Sequence, residues 1–371
     1  MALRDLAARM AAGGANLTVT APQIDPIPIG DDPGRSRVVF HTDQALAALL
    51  RLDHLALAEA YLHRDVDIAG DLRQALFVTD HLDLAPPSRI REALAWLRFL
   101  LDRRRLDRES IAHHYDRPPE FFLAWLDASR SYTHGFYAGP DDDLPTAQAR
   151  KLQFAIDALG LEPDMDVLDV GCGWGSFLAY AGARGIRVHG ITLSRDQHAA
   201  VSALIIARRL PCTVEFVDFL DYRPERQFDG AVFMGSLEHM PDYRYLARFL
   251  ARHLRPRARM YADFVSSREG RLAGAFLRKY IFPGVSGYVE LERLVAALAS
   301  RGFEVRELGD DTLSCAYTVR DWALALERHA AELAAAHGEV TVRAFLLYLW
   351  SSHHFLLSGR TQAYHLVAAR A

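Results

Sequence analysis

A doubly wound α/β fold, preceded by a smaller mixed α/β N-terminal domain, is what three observations predict. From about residue 150 onward apolar runs alternate with helical patterns: "DVLDVGC", "GSFLAYAGARG", "RVHGITLS", "DQHAAVSALIIARR", "CTVEFVDF", "FDGAVFMGS". That rhythm is the one by which helices cover a parallel sheet. The first run ends in Asp169 and turns through Gly171, Gly173 and Gly175 into a helix. Ahead of about residue 85, strand-like "SRVVFHT" and helical "DQALAALLRL" alternate on a smaller scale.

Taken in order, the N-terminal module spans 1–85, and Asp43 is placed to cap its helix "DQALAALLRL". "PPSRIREALAWLRFLLDRRRLDRE" then reads as a linker helix within 86–110, opened by prolines, with arginines between apolar positions. It packs on the next domain or touches a membrane surface. The large domain occupies 111–371, with a helical insertion near 267–300 and "AYHLVAARA" as a last strand. A chain of 371 residues is long enough for both cores.

Half of the residues are hydrophobic and the net charge is -4, so nothing in the balance steers the chain to nucleic acid. Cys172, Cys212 and Cys315 are odd in number and widely spaced, which fits a reducing cytoplasm rather than a disulfide framework or zinc ribbon. The opening "MALRDLAARMAAGG" lacks the apolar centre of a signal peptide, and no run of about 18 uncharged apolar residues could span a bilayer. The sequence therefore expects a cytoplasmic protein that meets a membrane only from outside.

The loop "GCGWG" lets a ligand approach backbone at the carboxyl edge of a sheet. Its G-x-G-x-G spacing is shorter than the dinucleotide pattern and points to S-adenosylmethionine.

"VLDVGCGWGSFLAYA", "GITLSRDQ", "LEHM" and "KYIFPG", in that order, resemble the cyclopropane-fatty-acyl-phospholipid synthase and mycolic acid cyclopropane synthase family of methyltransferases. The resemblance covers roughly residues 110–370, and "AEAYLHRDVDIAGDL" is similar to the N-terminal domain of the phospholipid-acting branch. It implies a Rossmann-like S-adenosylmethionine-dependent methyltransferase domain with an acyl-binding helical insertion, behind a lipid- or membrane-associated domain. It also implies which residues hold the cofactor. Asp169, Gly171 and Gly173 line the amino acid end, and Thr192, Leu193 and Gln197 the ribose; Asp218 and Phe219 flank the adenine. Tyr115 reaches the methionine carboxylate from one side, Tyr132 and Thr133 from the other.

The implied reaction is attack of an acyl-chain double bond on the sulfonium methyl, which leaves a carbocation that must lose a proton. A dry, aromatic-lined site suits such a cation; Tyr115, Tyr132, Phe136, Tyr137, Tyr280, Phe282 and Tyr317 are the candidates. In the family the base is a bicarbonate held by a cysteine, a glutamate, a histidine and a tyrosine. Glu238 matches the glutamate and Tyr317 the tyrosine, but His134 stands at the cysteine and Asp263 at the histidine. Three resolutions stay open. His134 is itself the base, oriented by Asp263, and faces the transferable methyl; or the cation is resolved into a methyl or methylene branch; or His134, His239, Glu238 and Asp263 bind iron and oxidise the chain. Against all three stands the plain reading that His134 is a hydrogen-bonded residue next to the site and takes no part in the chemistry. A non-catalytic cofactor-binding partner is the rival of another class, and no metal is expected on the leading reading. The resemblance implies an unsaturated phospholipid as substrate, peripheral contact at the inner membrane surface, and leaves room for a homodimer.

Overall fold

Val167, Leu168 and Val170 are all buried, although they alternate between the two faces of one strand. A strand buried on both faces belongs in the middle of a sheet covered by helices on either side. The computed structural model describes residues 3–81, 118–240, 242–268, 274–282 and 287–371. In it this strand, β5 (Asp166–Val170), is central to a seven-stranded sheet. The other members are β6 (Arg187–Thr192), β7 (Thr213–Phe216), β8 (Phe228–Met234), β9 (Leu254–Ser267), β10 (Phe303–Asp310) and β11 (Thr361–Arg370), in the order β10-β11-β9-β8-β5-β6-β7. All pairings from β9 to β7 are parallel, whereas β11 runs antiparallel to both β9 and β10. The expected parallel sheet is therefore parallel over most of its width, with an antiparallel edge. Because the chain leaves β5 towards β6 and β7 and returns on its other side at β8, a crevice opens at the carboxyl ends of β5 and β8.

The N-terminal residues form a second sheet: β1 (Leu17–Ala21), β2 (Ile24–Ile29), β3 (Ser36–Phe40) and β4 (Val66–Gly70), in the order β2-β1-β3-β4. It has its own apolar core, with Leu6, Leu17, Val38, Phe40, Leu46 and Leu49. The helix Asp43–Leu50 is capped by Thr42, whose hydroxyl accepts from the Ala45 amide at 3.2 Å, and not by Asp43 as expected. Thr42 has the extended backbone that a cap needs, while Asp43 already lies in the first turn.

One arginine ties this sheet to the long helix Glu339–Leu357. The Arg343 guanidinium donates to the Tyr61 carbonyl at 2.7 Å, the Val66 carbonyl at 3.0 Å and the Asp67 carboxylate at 3.0 Å, and lies 4.0 Å from the Tyr61 ring centroid. Arg343→Ala would leave two carbonyls without these donors, and is expected to cost about 2–3 kcal/mol. Chemical denaturation checks this, and a loss under about 0.5 kcal/mol, the size of an ordinary surface change, would contradict it. In the expected insertion the described residues form a wide helical turn, Leu277–Ile281, and the helix Leu291–Ala299. The expected linker helix and Tyr115 lie outside the described residues. No described helix is long and apolar enough to cross a membrane.

Candidate active site

The crevice at the ends of β5 and β8 is a cavity. Its wall carries Tyr132, Thr133, Asp169, Gly171, Gly173, Thr192, Leu193, Gln197, Asp218 and Phe219, every expected cofactor contact within the described residues. The glycine loop begins where β5 ends. Gly171 has φ +77°, and a Cβ there would lie 2.8 Å from the Ser236 Cβ, so only glycine lets this loop meet the one that follows β8. Thr192 donates to Gln197 Oε1 at 2.7 Å, and Ser194 caps the helix that carries Gln197, accepting from its amide at 3.2 Å. These bonds fix the far wall. Ser176 and Ser236 also line the cavity, and neither hydroxyl has a partner among the described residues. A glycine cradle with orphaned hydroxyls and buried acids fits a small polar cofactor such as S-adenosylmethionine.

Some expected contacts have other duties. Thr133 Oγ1 is taken by the Lys151 ammonium, so this hydroxyl is engaged behind the wall. The Phe219 ring packs on Phe249 and Tyr245 at 4.8 and 5.6 Å. Tyr132 is held by Phe122, Trp125 and Trp322, with centroids 5.6, 5.4 and 5.3 Å away. Of the seven aromatic candidates only Tyr132 lines the cavity among the described residues. Phe282 stands near its margin, 6.3 Å from the ring of the cavity-lining His239. Sequence reasoning missed Arg130, the one Arg or Lys among the described lining residues, which is held at φ +62°.

Behind the cavity lies a buried charged cluster. Glu238 Oε1 accepts from the Val265 amide at 2.8 Å, while Oε2 has no partner among the described residues. Burial pushes this carboxyl up to about 7, against the pull of the Val265 amide. Asp263 is 1% exposed, with the Lys151 ammonium 3.6 Å from its Oδ2 and the Tyr261 hydroxyl donating to the same oxygen at 3.4 Å. Burial likewise raises Asp169 to about 7, and Lys151 opposes the shift. His239, buried without a counter-charge, falls to about 4 and is neutral.

The expected pairing of His134 with Asp263 is corrected. His134 Nε2 contacts Asp311 Oδ2 at 3.1 Å, and the same oxygen binds His365 Nδ1 at 2.8 Å. Asp263 is held by Lys151 instead, because a buried carboxylate needs the nearest cation. Nor does His134 face the cavity; it is 4% exposed and lies behind the wall. Burial alone would lower its basicity, but Asp311 and the neighbouring Cys315 thiol outweigh that and raise it to about 10. At neutral pH the ring is thus an imidazolium, which has no lone pair with which to take a proton. Tyr317 also stands apart, packed 5.6 Å from Tyr137 with the Arg320 guanidinium 5.1 Å from its ring. Cys315, two residues earlier on the helix Thr312–Arg328, is the side chain that reaches His134. Among the described residues no three His, Cys, Asp or Glu side chains are grouped to hold a metal ion, so the expected iron ligands do not converge.

The raised basicity of His134 fixes a pH dependence. A group whose pKa is higher folded than unfolded stabilises fully below the unfolded value, here 6.5, and loses that effect as pH climbs towards 10. The stability difference between wild type and His134→Asn should therefore shrink from about pH 6 to about pH 10. A difference that stays constant across that range in urea titrations would contradict the assignment.

A family profile described as Mycolic acid cyclopropane synthetase matches residues 102–366. The chain is 28% identical to a probable fatty acid methyltransferase of Pseudomonas putida, over 85% of this chain and 82% of that protein. It is 30% identical to a probable fatty acid methyltransferase of Mycobacterium tuberculosis, over 82% of this chain and 73% of that one. Among solved structures, a cyclopropane synthase from Mycobacterium tuberculosis superposes with a TM-score of 0.66 at 24% identity, covering 71% of this chain and 98% of that one. A coclaurine N-methyltransferase superposes with a TM-score of 0.65 at 15% identity, covering 87% and 98%. At these identities the structural likeness is one of fold.

Proposed function

Because the chain belongs to the mycolic acid cyclopropane synthetase family, we propose that it methylates the double bond of an unsaturated acyl chain in a phospholipid. It is an S-adenosylmethionine-dependent methyltransferase that acts on lipids. When bound, the cofactor supplies an electrophilic methyl group on a sulfonium. The chain's own residues do the rest: the glycine loop, Thr192 and Gln197 position the ligand, and the aromatic packing around Tyr132 keeps water out.

The observation that carries the reading is Glu238. It is a buried carboxyl pushed up to about 7, with one oxygen fixed by a backbone amide and the other without a partner among the described residues, directly behind the cavity. Such a group can take a proton from a carbocation at neutral pH, where the His134 imidazolium cannot. Loss of the proton from the new methyl closes a ring; loss from a neighbouring chain carbon leaves a methyl branch beside a chain double bond. A methylene branch forms when a hydride shifts to the cationic carbon before the methyl gives up its proton. The relatives' names support a fatty acyl substrate. The similarity of "AEAYLHRDVDIAGDL" to the phospholipid-acting branch supports the headgroup-bearing form and a membrane-surface encounter.

The test is incubation of the purified chain with vesicles of unsaturated phospholipid and S-adenosylmethionine, read by lipid mass spectrometry. A gain of one CH2 with release of S-adenosylhomocysteine is the expected result. Turnover of the free fatty acid alone would overturn the phospholipid assignment, and no turnover of either would overturn the double-bond reading.

A further inference from the structure

The buried His134 is tied to the outer edge of the large sheet by a run of ionisable side chains that the proposed reaction does not use. Asp311 Oδ2 is shared by His134 Nε2 at 3.1 Å and His365 Nδ1 at 2.8 Å; on its far side His365 Nε2 lies 3.5 Å from Glu307 Oε1. Side-chain exposure rises along the run, from 3% at His134 and 9% at Asp311 to 10% at His365 and 50% at Glu307. The run therefore reaches solvent at one end and ends behind the cavity wall at the other.

The backbone is built to admit it. His365 pairs directly with Gly309 across β11 and β10, and a Cβ at Gly309 would fall 2.1 Å from His365 Cε1. Glycine weakens a strand interior; here it gives the imidazole room to lie over its neighbour strand. The rings of Phe154, Phe136 and Tyr261, with centroids 5.0, 5.1 and 6.4 Å away, wall it in.

We propose that His365 is a positioning residue that sets the charge state of His134 through the single Asp311 oxygen to which both imidazoles bind. One carboxylate oxygen flanked by two cations holds each less firmly than it would hold one alone. Glu307 favours the charged form of His365, and His365 Nδ1, donating to the same Asp311 oxygen, takes a share of the hold that oxygen has on the His134 proton. The consequence for the reaction, which rests on the double-bond reading above, is one of sign. A positive ring beside the site opposes a carbocation on the acyl chain, so turnover rises as His134 gives up its proton, and His365 decides at what pH that happens. The other groups facing this pair are Cys315, Asp263, Glu238, Tyr261 and Lys151. They belong to other elements, and neither substitution below changes them.

The test is the 15N NMR titration of His134 in the full chain, which needs no substrate, beside the kcat–pH profile. In His365→Asn the His134 midpoint should move up by about one pH unit, and the upper limb of kcat should move with it, while the affinity for S-adenosylmethionine stays within about twofold because none of these groups lines the cavity. Glu307→Gln, at a half-exposed position where misfolding is not at issue, should move both in the same direction by less. A His134 midpoint unmoved in both variants would overturn the proposal. A moved midpoint in a chain that releases no S-adenosylhomocysteine from unsaturated phospholipid would uphold the coupling and overturn the lipid reading.

Discussion

Glu238→Gln is expected to lower kcat by about 10²–10⁴-fold while leaving the affinity for S-adenosylmethionine unchanged. The amide keeps the side chain's shape and can still accept from the Val265 amide, so the local fold is preserved. What is lost is the second carboxylate oxygen, the one without a partner among the described residues, and with it the capacity to take a proton. Affinity should survive because Glu238 lies behind the cavity and does not line it. The pH profile gives an independent check. Since burial raises the carboxyl to about 7, wild-type turnover should climb through that pH as the carboxylate forms, and the glutamine variant should lack the climb. Single-turnover kinetics and calorimetric titration decide the matter. A variant that keeps a tenth of wild-type kcat would remove Glu238 from the role of base.

Lys151→Met should cost about 3–5 kcal/mol of stability, a larger loss than that expected of Arg343→Ala. Lys151 is fully buried, and its ammonium contacts Asp263 at 3.6 Å and the Ser131 hydroxyl at 3.1 Å, as well as Thr133 Oγ1. Burial presses the amine towards its neutral form, and the carboxylates of Asp263, Asp127 and Asp311 resist. Methionine fills much of the same space without charge. Asp263 is then left buried beside Asp169 and Glu238 without the cation that contacts it, and only the His134 ring, already held by Asp311, remains in its field. Lys151 also restrains the raised pKa of Asp169, and a carboxyl whose folded pKa is raised loses stability as pH rises, so the deficit should be largest near pH 8 and shrink towards pH 5. Urea denaturation at the two pH values measures it. A deficit of equal size at both would mean that lost packing, not an uncompensated charge, is the cause.

Glu238 and Lys151 differ in how legible they are from sequence. Glu238 could be found because it follows a strand end in "LEHM", a fixed offset within a recognisable run. Lys151 could not, since it lies on the helix Leu144–Leu159, within an ordinary amphipathic pattern where a lysine reads as solvent-facing. Asp311 and His365 were hidden because the partners that give them meaning lie on other elements, although a histidine inside the apolar last strand "AYHLVAARA" was a signal that could have been followed. Tyr317 and Cys315 show the limit at its finest: two residues apart on one helix, they point to different surroundings, and a sequence offset does not choose between them.

What the sequence determined by itself is the local and periodic part. Strand and helix alternation, the glycine turn after β5 and the offsets of Thr192, Gln197 and Asp218 are set by neighbours within a few residues, and these predicted both the large sheet and the walls of its cavity. What only the tertiary structure decided is which charges meet. His134 finds Asp311 across 177 positions of chain, and Asp263 is claimed by Lys151 from another element, because each buried charge is satisfied by the opposite charge nearest in space. That pairing places the most conspicuous titratable ring of the sequence behind the cavity wall as a buried, ion-paired group, and leaves Glu238 as the proposed acceptor of the proton.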